Sequence, residues 1–397
     1  MSSIRVVLNG KICLLPVETG ENLLSALRRA GYSLPASCGG RGRCGKCRVP
    51  VNGVPRLACK VIAQDGDTVE LPEQAGGVIL TDASAQNLRL QPGRTGCGAA
   101  VDLGTTTVVL RLYDLEVGTL LSTVSAWNAQ ASYGADVISR IQYTLERADG
   151  AEELSRRIRA QVQQLLADAL HRAERDWSEL REITLAGNTV MQHLFDGRTV
   201  AGIAAVPFEP ETLFAESAGK PLRGVPVRFA PCVAGYVGGD LTAGLLASGP
   251  AFEGAGISCG MPGIDGAVSH VRWQSGFLWD VVGGGAPKGL CGSGLLDLAA
   301  VLLERRGIAA DKLDGIYLAG GFGNYLDPKS AVCIGMLPEA CAGRLHSLGN
   351  SALAGASMLA LDGRRWAEIG ALTRSCQSIT LSGNPDFNNA FAAHMPF

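Results

Sequence analysis

Four cysteines fall in one short run, SCGGRGRCGKCRVPVNGVPRLACK, at Cys38, Cys44, Cys47 and Cys59. The spacing C-x5-C-x2-C-x11-C supplies four thiolates, which is what two tetrahedral irons need beyond their bridging sulfides, so the run predicts a [2Fe–2S] cluster. Gly39, Gly40, Gly42 and Gly45 separate the first three ligands. Lacking Cβ atoms, they let the backbone curl closely around a cluster and aim N–H groups at its sulfurs, which favours the reduced state. A structural zinc could use the same thiolates, but it has no need of a glycine-rich wrap behind a hairpin and helix.

A second set of residues suits phosphate and a divalent cation. In VDLGTTTVV, Asp102 closes one strand, Gly104 turns the chain, and Thr105, Thr106 and Thr107 open the next. A carboxylate beside a hydroxyl-rich turn can hold Mg²⁺ through water while backbone N–H groups and hydroxyls take phosphate oxygens. No G-K-[ST] follows, so this is not a Walker loop, and the turn alone is also compatible with a plain β-connection. LAGGFGN, with Gly320, Gly321, Gly323 and Asn324, adds a glycine-rich loop after a strand, against which a nucleoside can pack, and GLCGSGLLD adds a glycine-rich helix start. Asp240, in GYVGGD, lies between a glycine-rich turn and a helix start; it can hold Mg²⁺, orient an attacking water, or simply cap its helix. His193 and His270 are isolated and read as structural, and Trp273 and Trp279 fall on one face of a hairpin, as core residues do.

These residues need elements to hold them. Residues 4–17 alternate around Asn9-Gly10, a hairpin signal, and residues 21–30 give a short helix ended by Gly31. Residues 76–97 lack helical period and read as a linker, with Cys97 in it, after which strand, turn and strand begin a new domain near Gly98. Residues 151–177 place Leu154, Ile158, Val162, Leu165, Leu166, Leu170 and Trp177 at helical spacing, and ITLAGN gives a strand that ends in a loop before another helix. From Tyr236 the scheme partly recurs: a hairpin in AVSHVRWQSGFLWDVV, a helix after CGSG, then the strand–loop pairs IYLAGGFGN and LHSLGN.

The cysteine segment resembles ferredoxins. The phosphate turn, with its glycine-rich companions, resembles the acetate and sugar kinase, Hsp70 and actin superfamily, whose two ribonuclease-H-like halves close on ATP. Together with the cluster segment, VDLGTTTV, YGADVISRI, AGNTVMQHLF, GPAFEGAGISCGM, GLCGSGLLD and LAGGFGNYLDP resemble the ATP-dependent reductive activators of corrinoid proteins. That resemblance implies an α/β protein: a β-grasp ferredoxin-like module over 1–75, a linker over 76–97, and ribonuclease-H-like subdomains over 98–235 and 236–397. It also implies an ATPase that returns a Co(II) corrinoid protein of a methyltransferase system to Co(I), with Mg-ATP bound by Asp102, Asp240 and the threonine turn. Gly320, Gly321, Gly323 and Asn324 would take the adenosine, Gly349-Asn350 would form a supporting turn, and Asn188 would face the cleft. A low-potential electron donor and a homodimer are implied as well. Related alternatives are an ATP-coupled activator of another low-potential metalloprotein, or a redox- or nucleotide-sensing module with a decayed ATPase.

One departure from the family pattern stands out. The second half should open with its own phosphate turn between GYVGGDLTAGLLAS and GPAFEGAG, yet the two join directly at Ser248-Gly249, and a helix expected between CGSGLLDLAAVLLE and RRGIAADKLDG is missing too. Either the chain has lost its full ATPase site or the sequence omits segments of the natural protein, and omission is expected, because half of a packed nucleotide fold should not stay stable without its first strands.

Composition limits the partners. A balance of 37 acidic against 35 basic residues excludes a general nucleic-acid or membrane-surface binder. No apolar run reaches a membrane span, the first residues read as a strand pair, and a cytoplasmic protein with eight reduced thiols outside the cluster is expected. Arg41, Arg43, Lys46, Arg48, Arg56 and Lys60 bracket the cluster cysteines, suiting an acidic redox partner or simply a solvated rim.

Overall fold

The computed structural model describes residues 3–71, with breaks at 9–10, 31, 33 and within 35–46, then 94–253, 316–318 and 345–376, plus the single positions 327, 343 and 385. Alternating apolar residues make β1 (Ser3–Leu8) and β2 (Lys11–Pro16), which pair antiparallel with Leu8 opposite Lys11, the register of a two-residue hairpin. Helix α1 (Leu23–Arg29) starts where the Asn22 side chain accepts from the Ser25 N–H at 3.0 Å. Strands β3 (Arg48–Val51), β4 (Val54–Leu57) and β5 (Thr68–Glu70) complete a sheet in the order β2-β1-β5-β3-β4, with β1 and β5 parallel. Leu23, Leu24 and Leu27 of α1 pack on Ile4, Val6, Val49 and Val69 beneath it, the β-grasp arrangement.

The larger unit is built on β6 (Cys97–Leu103), β7 (Thr107–Asp114) and β8 (Leu120–Trp127), an antiparallel meander, followed by α2 (Val137–Glu146) and α3 (Gly150–Arg172). Next come β9 (Leu180–Gly187), α4 (Thr189–Asp196), β10 (Ala218–Leu222), β11 (Val225–Phe229) and α5 (Gly239–Glu253). The sheet runs β10-β11-β9-β6-β7-β8, with β9 parallel to β6 and β11 parallel to β9. Three antiparallel strands continued by parallel crossovers are the ribonuclease-H-like pattern. Its central strands are apolar almost throughout because helices cover both faces.

On one face α3 sets Leu154, Ile158, Val162 and Leu166 against Val101, Leu110, Leu112 and Leu185. On the other lie α5 and a helix from far along the chain, α6 (Ser351–Leu361), whose Met358, Leu359 and Ala360 join Ala100, Ala186 and Ala243. The α5 and α6 backbones touch at Gly355, where a Cβ would strike the Ala243 main chain. Helix α6 follows β13 (Leu345–Ser347), paired in parallel with β12 (Ile316–Leu318), and precedes α7 (Arg365–Ser375).

Two expectations change. The helical period reaches Trp177, but α3 ends at Arg172: Glu174 takes a left-handed φ of 52°, and Asp176 opens a separate 3-10 turn over Trp177–Glu179 with a capping box. Cys97 is not a linker residue; it begins β6, fully buried, opposite Asp114 and Leu180. The Ser248-Gly249 junction falls inside the continuous helix α5. The hairpin over 267–282 with His270, Trp273 and Trp279, and the helix after CGSG, lie outside the described residues.

Candidate functional site

Of the four expected cluster ligands, Cys47 and Cys59 are described; Cys38 and Cys44 are not. Cys47 is buried just before β3, and Cys59 lies in the 3-10 turn Ala58–Lys60 after β4, held there because the Ala58 N–H donates to the Cys47 carbonyl at 2.9 Å. Their sulfurs are 3.4 Å apart. Thiolates sharing one tetrahedral metal stand about 3.7 Å apart, given metal–sulfur bonds of roughly 2.3 Å, so this pair needs little adjustment to bind one iron. Gly40, Gly42 and Gly45 all have φ between 70 and 94°. That left-handed backbone is one that side-chain-bearing residues rarely adopt, and at Gly42 a Cβ would also run into the Lys60 side chain, so the wrap favours residues without side chains. Arg48, Arg56 and Lys60 are exposed nearby.

The second site lies where β6 meets β7. Gly104 turns the chain so tightly that a Cβ would fall 2.6 Å from the Thr107 carbonyl. The carbonyls of this turn are taken from inside the protein: Asn128 Nδ2 donates to Gly104 O at 2.8 Å, Arg140 Nη2 to Thr105 O at 2.5 Å, and the Asn128 N–H to Thr106 O at 2.8 Å. In a trans peptide the N–H points opposite the preceding C=O. Holding the Gly104 and Thr105 carbonyls inward therefore turns the Thr105 and Thr106 N–H groups away from these donors, as an anion-binding turn requires. Thr105 Oγ1 is fixed by Asn188 Nδ2 at 2.8 Å. Thr106 is exposed, and Thr107 begins β7.

Arg140 is buried completely and bonds to neutral acceptors: Gly134 O at 3.0 Å, Gln130 Oε1 at 3.2 Å, Met191 Sδ at 2.9 Å and Thr105 O. Burial lowers its pKa to about 9 against the opposing pull of Asp136, the residue that caps α2. A positive charge thus stands directly behind the Gly104–Thr107 turn. In front of it, Asp102 lies between β7 and β9 with its carboxyl raised to about 7, first by burial, against a hydrogen bond from Asn350 and with the like charge of Asp240 adding to the rise. Asp240 is brought there by Gly238 and Gly239, where side chains would collide with Asn188 and Gln192. It is the second residue of α5, inside the first turn rather than at the cap position, and its Oδ1 accepts from the Leu241 N–H at 2.9 Å. Two half-buried carboxylates drawn together beside inward-braced backbone fit a hydrated divalent cation with phosphate oxygens.

The structure brings Asp102, Asp240, Gly104 and Thr105 together; Gly320, Gly321, Gly323 and Asn324 lie outside the described residues. Asn128, Arg140 and the amide of Asn350 were not legible as site residues, although Arg140 sits inside YGADVISRI and Gly349-Asn350 repeats the Gly187-Asn188 pair. His193 is fully buried, its Nδ1 2.7 Å from Thr189 O and its Nε2 accepting from the Thr212 N–H at 3.3 Å. With both nitrogens engaged and its pKa lowered by burial, it is structural.

Fold and site define a class: an iron–sulfur module joined to an ATPase of the acetate and sugar kinase, Hsp70 and actin type. Residues 6–64 match the 2Fe-2S iron-sulfur cluster binding domain. Residues 97–250 match the RACo middle region, and residues 236–309 and 298–397 match the C-terminal domain of RACo, the ASKHA domain. The chain belongs to the RACo family of reductive activators. The corrinoid activation enzyme RamQ of Eubacterium limosum is 26% identical over 415 aligned positions, covering 76% of this chain and 70% of that protein. One polypeptide of the Na(+)-translocating NADH-quinone reductase of Haemophilus ducreyi is 34% identical over 84 positions, 16% of this chain and 20% of that protein. A solved structure, a reductive activator for corrinoid,iron-sulfur protein, superposes with a TM-score of 0.61 at 20% identity, covering 100% of this chain and 98% of the other.

Proposed function

We propose that this protein is an ATP-dependent reductive activase that returns an inactive Co(II) corrinoid protein of a methyl-transfer system to Co(I). The observation that carries it is the joining, in one chain of the RACo family, of a cluster-binding module to a phosphate turn braced by Asn128, Asn188 and Arg140. Cys38, Cys44, Cys47 and Cys59 would hold the cluster, which would supply one-electron chemistry. Asp102 and Asp240 would hold the hydrated Mg²⁺ of ATP, the Thr105–Thr107 turn its phosphates, and Gly320, Gly321, Gly323 and Asn324 its adenosine. A low-potential donor refills the cluster in the cytoplasm, and the ATPase region forms a homodimer.

Nucleotide is needed for a physical reason. A plant-type cluster sits near about −400 mV, and each ~59 mV by which the acceptor lies lower costs a one-electron transfer tenfold in equilibrium. An acceptor ~200 mV below the cluster is disfavoured by about 5 kcal/mol, or several-thousand-fold. Differential affinity for the two cobalt states, coupled to the nucleotide cycle, is what can overcome such a gap.

We further propose that the sequence lacks a second phosphate turn in its second half. In support, the 415 positions aligned with RamQ hold only about 300 residues of this chain, and the ASKHA match is split where a helix is expected to be missing. Mixing dithionite-reduced protein with a Co(II) corrinoid protein, with and without Mg-ATP, tests the assignment: Co(I) absorbance should grow much further with ATP. Equal yield in both arms, or none with several corrinoid proteins, overturns it. Light scattering at micromolar concentration tests the dimer, a 41-kDa particle being the adverse result.

A further inference from the structure

Two strands end in the same way. Strand β9 runs into Gly187-Asn188 and then α4, and β13 is followed by Gly349-Asn350 and then α6. Each asparagine caps its helix through Oδ1, which accepts from Met191 N at 3.0 Å in one case and from Leu353 N at 2.9 Å in the other. Because each oxygen is committed to a backbone N–H, the orientation of each amide is fixed, and Nδ2 is left to donate elsewhere. Both nitrogens reach the phosphate turn: Asn188 Nδ2 meets Thr105 Oγ1, and Asn350 Nδ2 meets Asp102 Oδ2, each at 2.8 Å. The second bond joins residues 248 positions apart, one on the central strand and the other at the head of the helix that packs behind it.

We propose that Asn350 is a positioning residue for the metal–nucleotide site. Its amide holds the Asp102 carboxyl as a hydrogen-bond acceptor, turned toward the phosphate turn, and makes cation binding depend on the docking of α6. A helix cap alone needs only an acceptor, and Ser, Asp or Thr serve that purpose as well as Asn. Asn is the cap that also offers a rigid donor at this reach, opposite a half-buried carboxylate whose ionised form is stabilised by one. Asn188 is the internal comparison, since its amide holds a hydroxyl rather than a carboxylate. The inference rests on the reading that Asp102 takes a magnesium nucleotide.

The test uses the whole protein and measures ADP affinity by calorimetry with Mg²⁺ and with EDTA, together with nucleotide-free melting. Asn350→Ser keeps a cap acceptor and loses the amide donor, its hydroxyl standing on a shorter side chain; Asn350→Asp keeps shape and cap but turns a carboxylate oxygen toward Asp102, and it carries the test if the serine variant fails to fold. The gain in ADP affinity on adding Mg²⁺ is expected to fall about tenfold in Asn350→Ser and further in Asn350→Asp, with affinity in EDTA unchanged. Asn188→Ser should weaken binding in both conditions. Folded Asn350 variants with the full wild-type response to Mg²⁺ overturn the inference while leaving the functional proposal intact. Wild-type protein that binds no ADP with Mg²⁺ overturns the magnesium–nucleotide reading and this inference with it.

Discussion

Replacing Asp102 by Asn should stabilise the nucleotide-free protein while removing its response to Mg-ATP. The folded carboxyl titrates at about 7, against 3.8 for an ordinary aspartate. A raised carboxyl contributes its stability at low pH: unfolded chain gives up this proton near pH 4, folded chain only near 7, so stability falls as pH rises between them and is level above. At ~1.4 kcal/mol per pH unit the full loss is about 4 kcal/mol, of which roughly 1.5 is already lost at pH 5. Asparagine has nearly the same shape, can present its oxygen to Asn350, and carries no charge to desolvate beside Asp240. Guanidinium unfolding of wild type and Asp102→Asn, free of metal and nucleotide, should therefore show a difference that grows by about 2–3 kcal/mol in favour of the variant from pH 5 to pH 8. Mg-ATP should raise the midpoint of the wild type and leave the variant's unchanged, because a neutral amide holds a hydrated dication poorly. A stability difference that is constant between pH 5 and 8 would refute the reasoning, since it would mean Asp102 titrates alike in folded and unfolded chain.

Other outcomes follow from the same geometry. Cys59→Ser should abolish the [2Fe–2S] signal of the reduced protein by electron paramagnetic resonance, whereas Cys97→Ser should keep iron and sulfide content but lower the melting point, its thiol being buried in β6; loss of the cluster in Cys97→Ser would show the ligand set to be wrong. Arg140→Gln should destabilise by roughly 2–4 kcal/mol in denaturant, as buried carbonyls at Gly134 and Thr105 lose their donor, and should weaken ADP binding; wild-type affinity would remove Arg140 from the brace. His193→Gln should leave the rate of cobalt reduction unchanged in folded protein, because both imidazole nitrogens are engaged within the core; a lost rate with normal nucleotide binding would point to a redox role.

Much of the chemistry is local and was legible in the chain. Thiolate spacing, glycines with left-handed backbone at 40, 42 and 45, and the Asp102-to-Thr107 turn all act over a few residues, so composition and order alone point to them as candidates. The same locality explains the β1–β2 hairpin and the first helix. Element ends were less legible: Glu174 adopts a left-handed backbone that breaks α3 although the apolar period continues to Trp177, where the Arg223 guanidinium covers the ring at 4.7 Å.

What only the tertiary structure decided is which distant side chains complete the site. Asn128 belongs to the turn after β8, Arg140 to α2, Asn188 to the end of β9 and Asn350 to the head of α6, and none is near Asp102 in sequence. They converge because parallel crossovers bring the C-terminal ends of β6 and β9 side by side and because Gly355 lets α6 settle against α5 on that sheet. The sequence by itself determined the candidate reactive groups, since ligand spacing and turn chemistry are short-range. The brace that orients them, and the desolvation that lifts the Asp102 carboxyl, exist only once the sheet and its helices have packed, since burial and long-range hydrogen bonds are properties of the folded core.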